Sequence, residues 1–422
     1  MKEDAERMLY ELPALLNAKL RGISLKRNFA GNIENRAKRF FEGEKGARIV
    51  LLYGLRGTGK TISLLQLHEA FKDESFYISC DELIGNNLGL EDAVEALDVF
   101  FKEKIGLNKK FLLLVDEISY MKDWGLKLKL LYDKRPNLSI IATSSSSVAL
   151  YSSELERRAI GIKATPLTFR EYLQLKESIN IEDSLSEAIR KKIIKKEVPR
   201  EEFLKILSKM GGKSLTGIYR NYLFEDMPSA LETGREDNFL ALKSMLRKII
   251  YEDFPKHAKL ESELLIKGEQ LITLMSRIPS DGVRIETLSG TLGISKFGIS
   301  KLLELFSDAM LIKGIAAEGR KRAFKLPRKW FFLSPSMRYV LSKPSGIDND
   351  IKGNLREDSV FLHLQCMFDE IYYSHEADFV IPKTINIEVG GRKKGRENAL
   401  TLVEEEIVEE KRMCLPFFLL AV

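Results

Sequence analysis

The chain has 422 residues, of which 44% are hydrophobic and 30% charged, with a formal net charge of +6. This composition is typical of globular proteins, and the length predicts about three domains at about 150 residues each. No apolar run reaches the roughly 18 residues of a membrane-spanning helix. Three scattered cysteines, Cys80, Cys366 and Cys414, fit neither a disulfide framework nor a zinc pattern.

Residues 1–45 are amphipathic and rich in Lys, Arg and Glu, which predicts a helical lead-in. Charges come too early in this segment for a signal peptide, so we expect a cytoplasmic protein. The mild basic excess is compatible with nucleic acid as a partner but does not require it.

Residues 46–170 alternate apolar runs with helical patterns. The apolar runs include ARIVLLYG, SFYISC, FLLLVDEI and LSIIAT. Buried strands that alternate with helices are typical of a parallel sheet in an α/β fold. We therefore predict an α/β core over 46–170.

The run RIVLLYG leads into GLRGTGKT and then into the helical ISLLQLHEAF, which matches G-x-x-x-x-G-K-[ST] in strand–loop–helix context. Glycines let successive N–H groups turn toward a phosphate, and the helix adds its positive dipole end. We expect ATP to be bound by the loop residues Gly54, Leu55, Arg56, Gly57, Thr58, Gly59, Lys60 and Thr61. Lys60 would reach the β- and γ-phosphates, and Thr61 would ligate Mg²⁺.

The phosphate loop is followed by a second motif, FLLLVDEI, an apolar strand that ends in the acidic residues Asp116 and Glu117. A carboxylate at the tip of a buried strand is costly unless a positive group meets it. The spacing predicts that this strand neighbours the strand of the phosphate loop. Asp116 would then hold the Mg²⁺ shell, and Glu117 would polarise the attacking water.

The next apolar run, LSIIAT, ends in a serine tract. One hydroxyl there is placed to sense the γ-phosphate or to orient the water, and we assign this role to Ser144. The alternative is a simple turn, since serine is common in turns.

The segments YGLRGTGKT, LLLVDEI, IIATSSSS and IKATPLTFREYL resemble the archaeal and bacterial AAA+ ATPases that carry a winged helix and a C-terminal restriction-endonuclease-like domain of unknown function. The resemblance covers nearly the whole chain. It implies a P-loop NTPase parallel sheet with a helical lid (171–264), a winged-helix domain (265–333) and a small C-terminal α+β domain (334–422).

In that family an arginine precedes the strand that leads into PL-[ST]-F-x-E-[YF]. Here LERRAIGIKATPLTFREYL supplies Arg157 and Arg158. The resemblance therefore implies an arginine finger or sensor, which we assign to Arg158. The family usually has a glycine where this chain has Thr143 or an adjacent serine.

The segment 265–333 predicts a helix, a turn at Gly293 and a second helix capped by Ser295, with a stripe of buried apolar residues. That stripe consists of Ile299, Leu302, Leu303 and Phe306. Basic residues crowd the following hairpin: Arg320, Lys321, Arg322, Lys325, Arg328 and Lys329. We expect this wing to contact DNA phosphates, and a protein-docking winged helix is the alternative.

The segment 334–422 reads as a helix, GNLREDSVFLHLQCMF, with Glu357 at its start, followed by the strands EIYYS, ADFVI and INIEVG and a closing strand PFFLLAV. The resemblance implies that Glu357, Asp378 and Glu388 are the acids of a PD-(D/E)xK nuclease core. Such a trio could hold Mg²⁺ for phosphodiester hydrolysis.

The lysine of such a nuclease core is replaced here by Gly390. Lys393 or Lys394 could reach the site instead, because lysine has a long flexible stem. We expect a degenerate domain that binds without cutting.

The sequence thus predicts an Mg²⁺-dependent ATPase whose nucleotide state moves a lid and a winged helix, on DNA or on a protein partner. Two alternatives stay open: an ATP-bound switch with little turnover that acts on protein partners, and an ATP-gated DNA nuclease. The chain could form a homo-oligomer under any of these hypotheses. We expect no membrane partner.

Overall fold

A computed structural model of the chain describes residues 18–20, 26–146, 154–155, 157–257, 260–281, 284–319, 329–343, 351–390 and 398–422. The chain forms two compact units, Met1–Ala164 and Thr165–Val422. Within the described ranges, no helix is both long and apolar enough to cross a bilayer. The segments predicted to be a lid, a winged helix and an endonuclease-like domain all fall in the second unit, and these assignments stay predictions.

The first unit is built on a five-stranded parallel sheet in the order β2-β3-β4-β1-β5. Its strands are β1 (Ile49–Gly54), β2 (Ser75–Ser79), β3 (Phe111–Asp116), β4 (Leu138–Ser144) and β5 (Ala159–Ala164). Both β3 and β4 are buried along their whole length, as expected for strands covered on both faces. The predicted parallel α/β core is confirmed.

Helices flank this sheet: α1 (Asn28–Glu42), α2 (Lys60–Ala70), α3 (Cys80–Gly85), α4 (Leu90–Phe100) and α5 (Trp124–Lys134). The α1 helix belongs to the predicted lead-in, and it buries Phe29, Ile33 and Ala37 in the core of the unit. Apolar residues at three- and four-residue spacing produce this buried face.

One prediction about the sheet is wrong. The strand that carries Asp116 does not neighbour the strand of the phosphate loop, because β4 lies between β3 and β1. After β1 the chain forms β2 and β3, and only then β4, which pairs with both β3 and β1. The number of residues between strands does not specify that order. All these strands are parallel, so Asp116 still ends at the edge from which the phosphate loop leaves.

The second unit begins with helices: α6 (Phe169–Lys176), α7 (Asp183–Lys195), α8 (Arg200–Lys209), α9 (Leu215–Tyr222), α10 (Ser229–Glu232), α11 (Arg235–Lys248), α12 (Phe254–His257) and α13 (Ser262–Arg277). A π-helical turn, Ile249–Asp253, joins α11 to α12. The described part of 171–260 holds no strand, which agrees with the predicted loss of strands there.

A helix–turn–helix follows, formed by α14 (Ile285–Leu292) and α15 (Lys296–Asp308). The first helix ends at Gly293, whose φ of 67° is left-handed. Ser295 caps the second helix by accepting a hydrogen bond from the N–H of Gly298. The predicted turn, cap and buried stripe are confirmed.

The hairpin after α15 consists of β6 (Ile312–Ile315) and β7 (Lys329–Phe332), which pair antiparallel. Of the basic wing residues, only Lys329 lies in the described part of the chain. The others lie outside the described residues: Arg320, Lys321, Arg322, Lys325 and Arg328. A DNA contact by this wing stays a prediction.

The remaining elements are α16 (Pro335–Ser342), α17 (Ile351–Met367), β8 (Phe379–Ile381), β9 (Ile385–Val389), β10 (Leu400–Val403), β11 (Arg412–Cys414) and α18 (Leu415–Leu419). The four strands form one sheet in the order β11-β10-β9-β8, in which only β8 and β9 pair antiparallel. The strands predicted at ADFVI and INIEVG are present as β8 and β9.

Three expectations for this segment are wrong. EIYYS makes only isolated bridges, between Tyr372 and Val380 and between Ala317 and Tyr373. PFFLLAV contributes to a helix, α18, because an apolar run that is buried all round fits a helix as well as a strand, and Pro416 suits a first helical turn. Glu357 lies inside α17 rather than at its start.

Candidate functional site

The phosphate loop begins where β1 meets β5. A Cβ added to Gly54 would lie 2.0 Å from the carbonyl oxygen of Ala164, so only glycine allows the two strands to approach here. Gly57 and Gly59 have φ of 80° and 95°, the left-handed conformation that glycine adopts at little cost. Gly59 is also the N-cap of α2, whose first turn directs its N–H groups into the loop.

Lys60 is buried inside this loop. Its Nζ donates to the carbonyl oxygens of Gly54 at 2.8 Å and of Leu55 at 3.1 Å. Thr58 adds a bond from its Oγ1 to the carbonyl of Leu55 at 2.9 Å. Two main-chain carbonyl oxygens therefore hold the ammonium group against the loop, where its charge adds to that of the N–H groups that could bind an anion.

Asp116 is surrounded by hydroxyl donors. Thr61 Oγ1 donates to its Oδ2 at 2.8 Å, the Tyr77 hydroxyl donates to Oδ2 at 3.0 Å, and Thr143 Oγ1 donates to Oδ1 at 2.5 Å. Burial raises the pKa of Tyr77 well above its ordinary value, and the charge of Asp116 adds to this shift. Tyr77 therefore keeps its proton and acts as a donor.

The Thr61–Asp116 pair fits a magnesium ion. Hydroxyl and carboxylate oxygens are the ligands that Mg²⁺ takes in proteins, and here one of each lies within 2.8 Å of the other. The predicted pair is thus brought together by the fold, although its two members are 55 positions apart.

Glu117 sits in a strained conformation beside this pair, with φ 52° and ψ 45°. Its N–H donates to Thr143 Oγ1 at 2.9 Å, and Ser145 Oγ donates to its Oε1 at 2.5 Å. Burial raises the pKa of Glu117, while the charge of Lys60 opposes the rise. Left-handed non-glycine residues cluster at functional sites, because only a well-packed surrounding structure maintains them.

Ser144 does not contact either acid in this arrangement. Its Oγ donates to the carbonyl of Ser146 at 2.9 Å, whereas Thr143 and Ser145 contact Asp116 and Glu117. Side chains alternate between the two faces of a strand, so residues 143 and 145 share a face that 144 does not. This alternation of side chains could have been applied to the sequence. It favours Ser145, instead of Ser144, as the residue that senses the γ-phosphate or orients the water.

Arg158 lies at the opposite edge of the sheet. Its Nε donates to Asp133 Oδ1 at 3.3 Å, and the next residue pairs with Ile49 at the start of β1. The phosphate loop leaves the other end of β1, where Gly54 pairs with Ala164. The fold therefore does not bring Arg158 to the phosphate loop of its own chain, and Arg157 precedes it at the same edge.

Two contacts of the loop were not predicted from sequence. Arg56 Nη1 donates to the Tyr120 hydroxyl at 3.0 Å, and Arg27 Nη1 donates to the carbonyl of Thr58. Tyr120 is 64 positions from Arg56, and Arg27 is 31 positions from Thr58. No local sequence pattern indicates either pair.

The acids of the second unit are arranged differently. Asp378 accepts from Lys329 Nζ at 3.0 Å and from the N–H of Val389 at 2.9 Å. Glu357 Oε2 accepts from Ser280 Oγ at 2.8 Å. Burial, followed by the charge of Asp378, raises the pKa of Glu357 to about 7.

Glu388 is buried on β9, at 1% exposure. The part of the chain that the structure describes contains no group of three or more His, Cys, Asp or Glu side chains arranged to hold a metal. The structure thus offers no ready metal site at these acids, and the assignment of Glu357, Asp378 and Glu388 to a degenerate nuclease core stays a prediction. Lys329 neutralises Asp378, and Lys393 and Lys394 lie outside the described residues.

The parallel sheet and the phosphate loop form a P-loop fold of the AAA class, and residues 46–173 match the AAA domain family. The chain is 32% identical over 396 residues to the uncharacterized protein MJ1637 of Methanocaldococcus jannaschii, a match that covers 88% of this chain and 81% of that protein. The chain belongs to the family of MJ1637.

Among solved structures, the Thermotoga maritima RuvB Holliday junction branch migration motor matches with 15% identity and a TM-score of 0.31, over 68% of this chain and 89% of that one. The FIGL-1 AAA domain in complex with ADP matches with 18% identity and a TM-score of 0.29, over 40% and 65%. At these TM-scores neither likeness bears on function.

Proposed function

We propose that this protein binds Mg²⁺–ATP in the loop 54–61 and hydrolyses it. The observation that carries the proposal is the bond from Thr61 Oγ1 to Asp116 Oδ2, 2.8 Å long, next to the buried ammonium of Lys60. A hydroxyl, a carboxylate and a lysine in this order around a glycine-rich loop are the parts that phosphoryl transfer uses.

The residues of the loop take distinct roles in this proposal. Main-chain N–H groups from Gly54 to Thr61 bind the phosphate oxygens, and the first turn of α2 adds its dipole. Lys60 exchanges its carbonyl partners, Gly54 and Leu55, for phosphate oxygens. Thr61 and Asp116 would hold Mg²⁺, which, when bound, would neutralise charge on the phosphates.

Glu117 is the residue that orients the attacking water. Its burial raises its pKa, so its carboxylate is a better proton acceptor than an exposed glutamate. Ser145 holds this carboxylate through both its hydroxyl and its N–H, at 2.5 and 3.3 Å. We assign Ser145 the positioning role at this edge of the sheet.

Arg158 completes no site within its own chain, because Asp133 and the start of β5 hold it at the far edge of the sheet. If this arginine acts as a finger, it serves the phosphate loop of a second copy. We therefore propose that turnover requires a homo-oligomer.

The output of the cycle is proposed to pass through the helix–turn–helix of α14 and α15, to DNA or to a protein partner. The cap at Ser295 and the buried stripe at Ile299 support a properly formed second helix. A basic wing after it would give salt-dependent phosphate binding.

A nucleotide-bound switch with little turnover is the second candidate. Ser145 donates to both carboxylate oxygens of Glu117, and these bonds stabilise the ionised form and so oppose the uptake of a proton from water. An ATP-gated nuclease has less support, because an ammonium neutralises Asp378.

Steady-state ATP turnover by the full chain, with and without DNA, tests the proposal. We expect turnover that disappears in Lys60→Ala and in Glu117→Gln, with ATP binding kept in Glu117→Gln. Lys72→Ala is the matched control, because Lys72 pairs with Glu69 on the exposed surface at the end of α2. Tight ATP binding without turnover in the wild type would favour the switch.

A further inference from the structure

Arg27 directs a buried guanidinium at the phosphate loop. The residue is 8% exposed, and its Nη1 donates to the carbonyl oxygen of Thr58. The Cγ and Nη1 atoms both lie 3.9 Å from the position a Cβ would take on Gly59. The side chain therefore lies against the Thr58–Gly59 peptide.

This contact determines the direction of one N–H group. A trans peptide is planar, so its carbonyl and its N–H point in opposite directions. Because Arg27 binds the carbonyl of Thr58, the N–H of Gly59 points away from the guanidinium, toward the side where the loop would hold a phosphate. Gly59, whose φ is 95°, has no Cβ to restrict this peptide, so a bond such as that from Arg27 is needed to fix its orientation.

The charge on Arg27 also strengthens that N–H group as a donor. A hydrogen bond from an ionised donor polarises the peptide that accepts it, and the low dielectric of a buried site increases the effect. Arg27 thus acts on a bound phosphate through the peptide, without contacting the phosphate.

The position of Arg27 is set by the packing of α1. Its own carbonyl accepts from the N–H groups of Ala30 and Gly31 at 2.9 and 3.2 Å, which starts the helix. Phe29 and Ile33 anchor this helix in the core, and the guanidinium carbon lies 4.9 Å from the centre of the Phe29 ring. Removal of the guanidinium leaves these anchors intact.

We propose that Arg27 is a positioning residue for the phosphates of a nucleoside di- or triphosphate, and that it acts by orienting the Thr58–Gly59 peptide. This inference rests on the proposed function of the loop. If the inference holds, Arg27 contributes to nucleotide affinity although it precedes the AAA match at residues 46–173. Arg27 is also not part of the glycine-rich sequence pattern.

Calorimetric titration of ADP and ATP into the full chain tests this role. We expect Arg27→Met to weaken both nucleotides about 10-fold or more, since a hydrogen bond to a charged group contributes about 1.5–3 kcal/mol. Arg27→Lys, which keeps a cationic donor, should recover to within about threefold of the wild type. Lys26→Met is the control, because Lys26 pairs with Glu34 at the surface.

Wild-type affinity in a folded Arg27→Met protein would overturn the inference and leave the proposed function standing. Equal losses in Arg27→Met and Arg27→Lys, with an equal fall in their unfolding midpoints, would assign Arg27 to packing and would overturn it as well. Absence of binding by the wild type would remove the proposed function together with this inference.

Discussion

Asp116, buried in the first unit, and Asp378, partly buried in the second, show how the hydrogen-bond partners of an acid determine what it can bind. Asp116 is 5% exposed and accepts from neutral hydroxyls of Thr61, Tyr77 and Thr143. Asp378 accepts from the ammonium of Lys329. Neutral donors stabilise a carboxylate and leave its charge available for a cation, whereas an ammonium neutralises it.

The largest expected effect tests the first half of this comparison. We expect Asp116→Asn to lower ATP turnover about 100-fold or more, because loss of one preorganised charged group at a reacting centre costs about 10²–10³ in rate. Higher Mg²⁺ concentration should restore part of the loss. Turnover is measured at several Mg²⁺ concentrations, and an unchanged rate at low Mg²⁺ would contradict the role of Asp116.

The second half of the comparison is tested by Lys329→Met, which removes the cation from Asp378. We expect the free energy of unfolding to fall by about 1–2 kcal/mol, less than the roughly 3–5 kcal/mol of a fully buried acid, because the Asp378 side chain is 15% exposed. Urea denaturation measures this change. The double variant with Asp378→Asn should recover stability.

Lys296→Met is the matched control for Lys329→Met, because Lys296 pairs with Glu286 on the exposed surface. Exposed pairs contribute about 0–1 kcal/mol, so this variant should stay close to the wild type. Equal effects of the two lysine variants would mean that Asp378 does not depend on Lys329.

A smaller effect on kcat distinguishes Ser145, which follows β4, from Ser144, the last residue of that strand. Ser145→Ala removes a hydrogen bond to the Glu117 carboxylate, and a bond to a charged group contributes about 1.5 kcal/mol or more, so we expect kcat to fall about tenfold. Ser144→Ala should leave kcat within about twofold, because the Ser144 hydroxyl bonds only locally, to Ser146, among the contacts seen at this edge. The reverse ranking in a steady-state assay would restore the assignment of Ser144.

The stability of the second unit in acid depends on His363. His363 accepts from the N–H of Phe169 at 2.8 Å, and burial lowers its pKa to about 4. The unfolded chain takes up a proton below about pH 6.5, while the folded chain resists it, so this contribution to stability is complete above pH 6.5 and is lost as the pH falls toward 4. Unfolding curves of the wild type and His363→Gln should therefore diverge on acidification, and parallel curves would contradict this.

Sequence predicted the contiguous parts of the molecule best. The phosphate loop, the cap at Ser295 and the turn at Gly293 depend on neighbours within a few positions, and all three formed as expected. Their conformations follow from glycine at positive φ and from a side chain that accepts a helix N–H.

Contacts between distant segments could not be predicted from the sequence in the same way. The insertion of β4 between β3 and β1 depends on pairing partners, and the bond from Arg27 to Thr58 depends on where α1 packs. The acids of the second unit fit a family pattern in sequence, but the fold gave Asp378 a lysine from β7. Local chemistry is visible in sequence, whereas the neutralisation of a charge is decided by packing.

Calorimetric titration of Mg²⁺–ATP into the wild type and into Lys60→Ala tests the central claim most directly. The account predicts saturable binding to one site per chain in the wild type and its loss in Lys60→Ala, with both proteins folded by circular dichroism. Absence of binding by the folded wild type, or equal affinity in the two proteins, would contradict it.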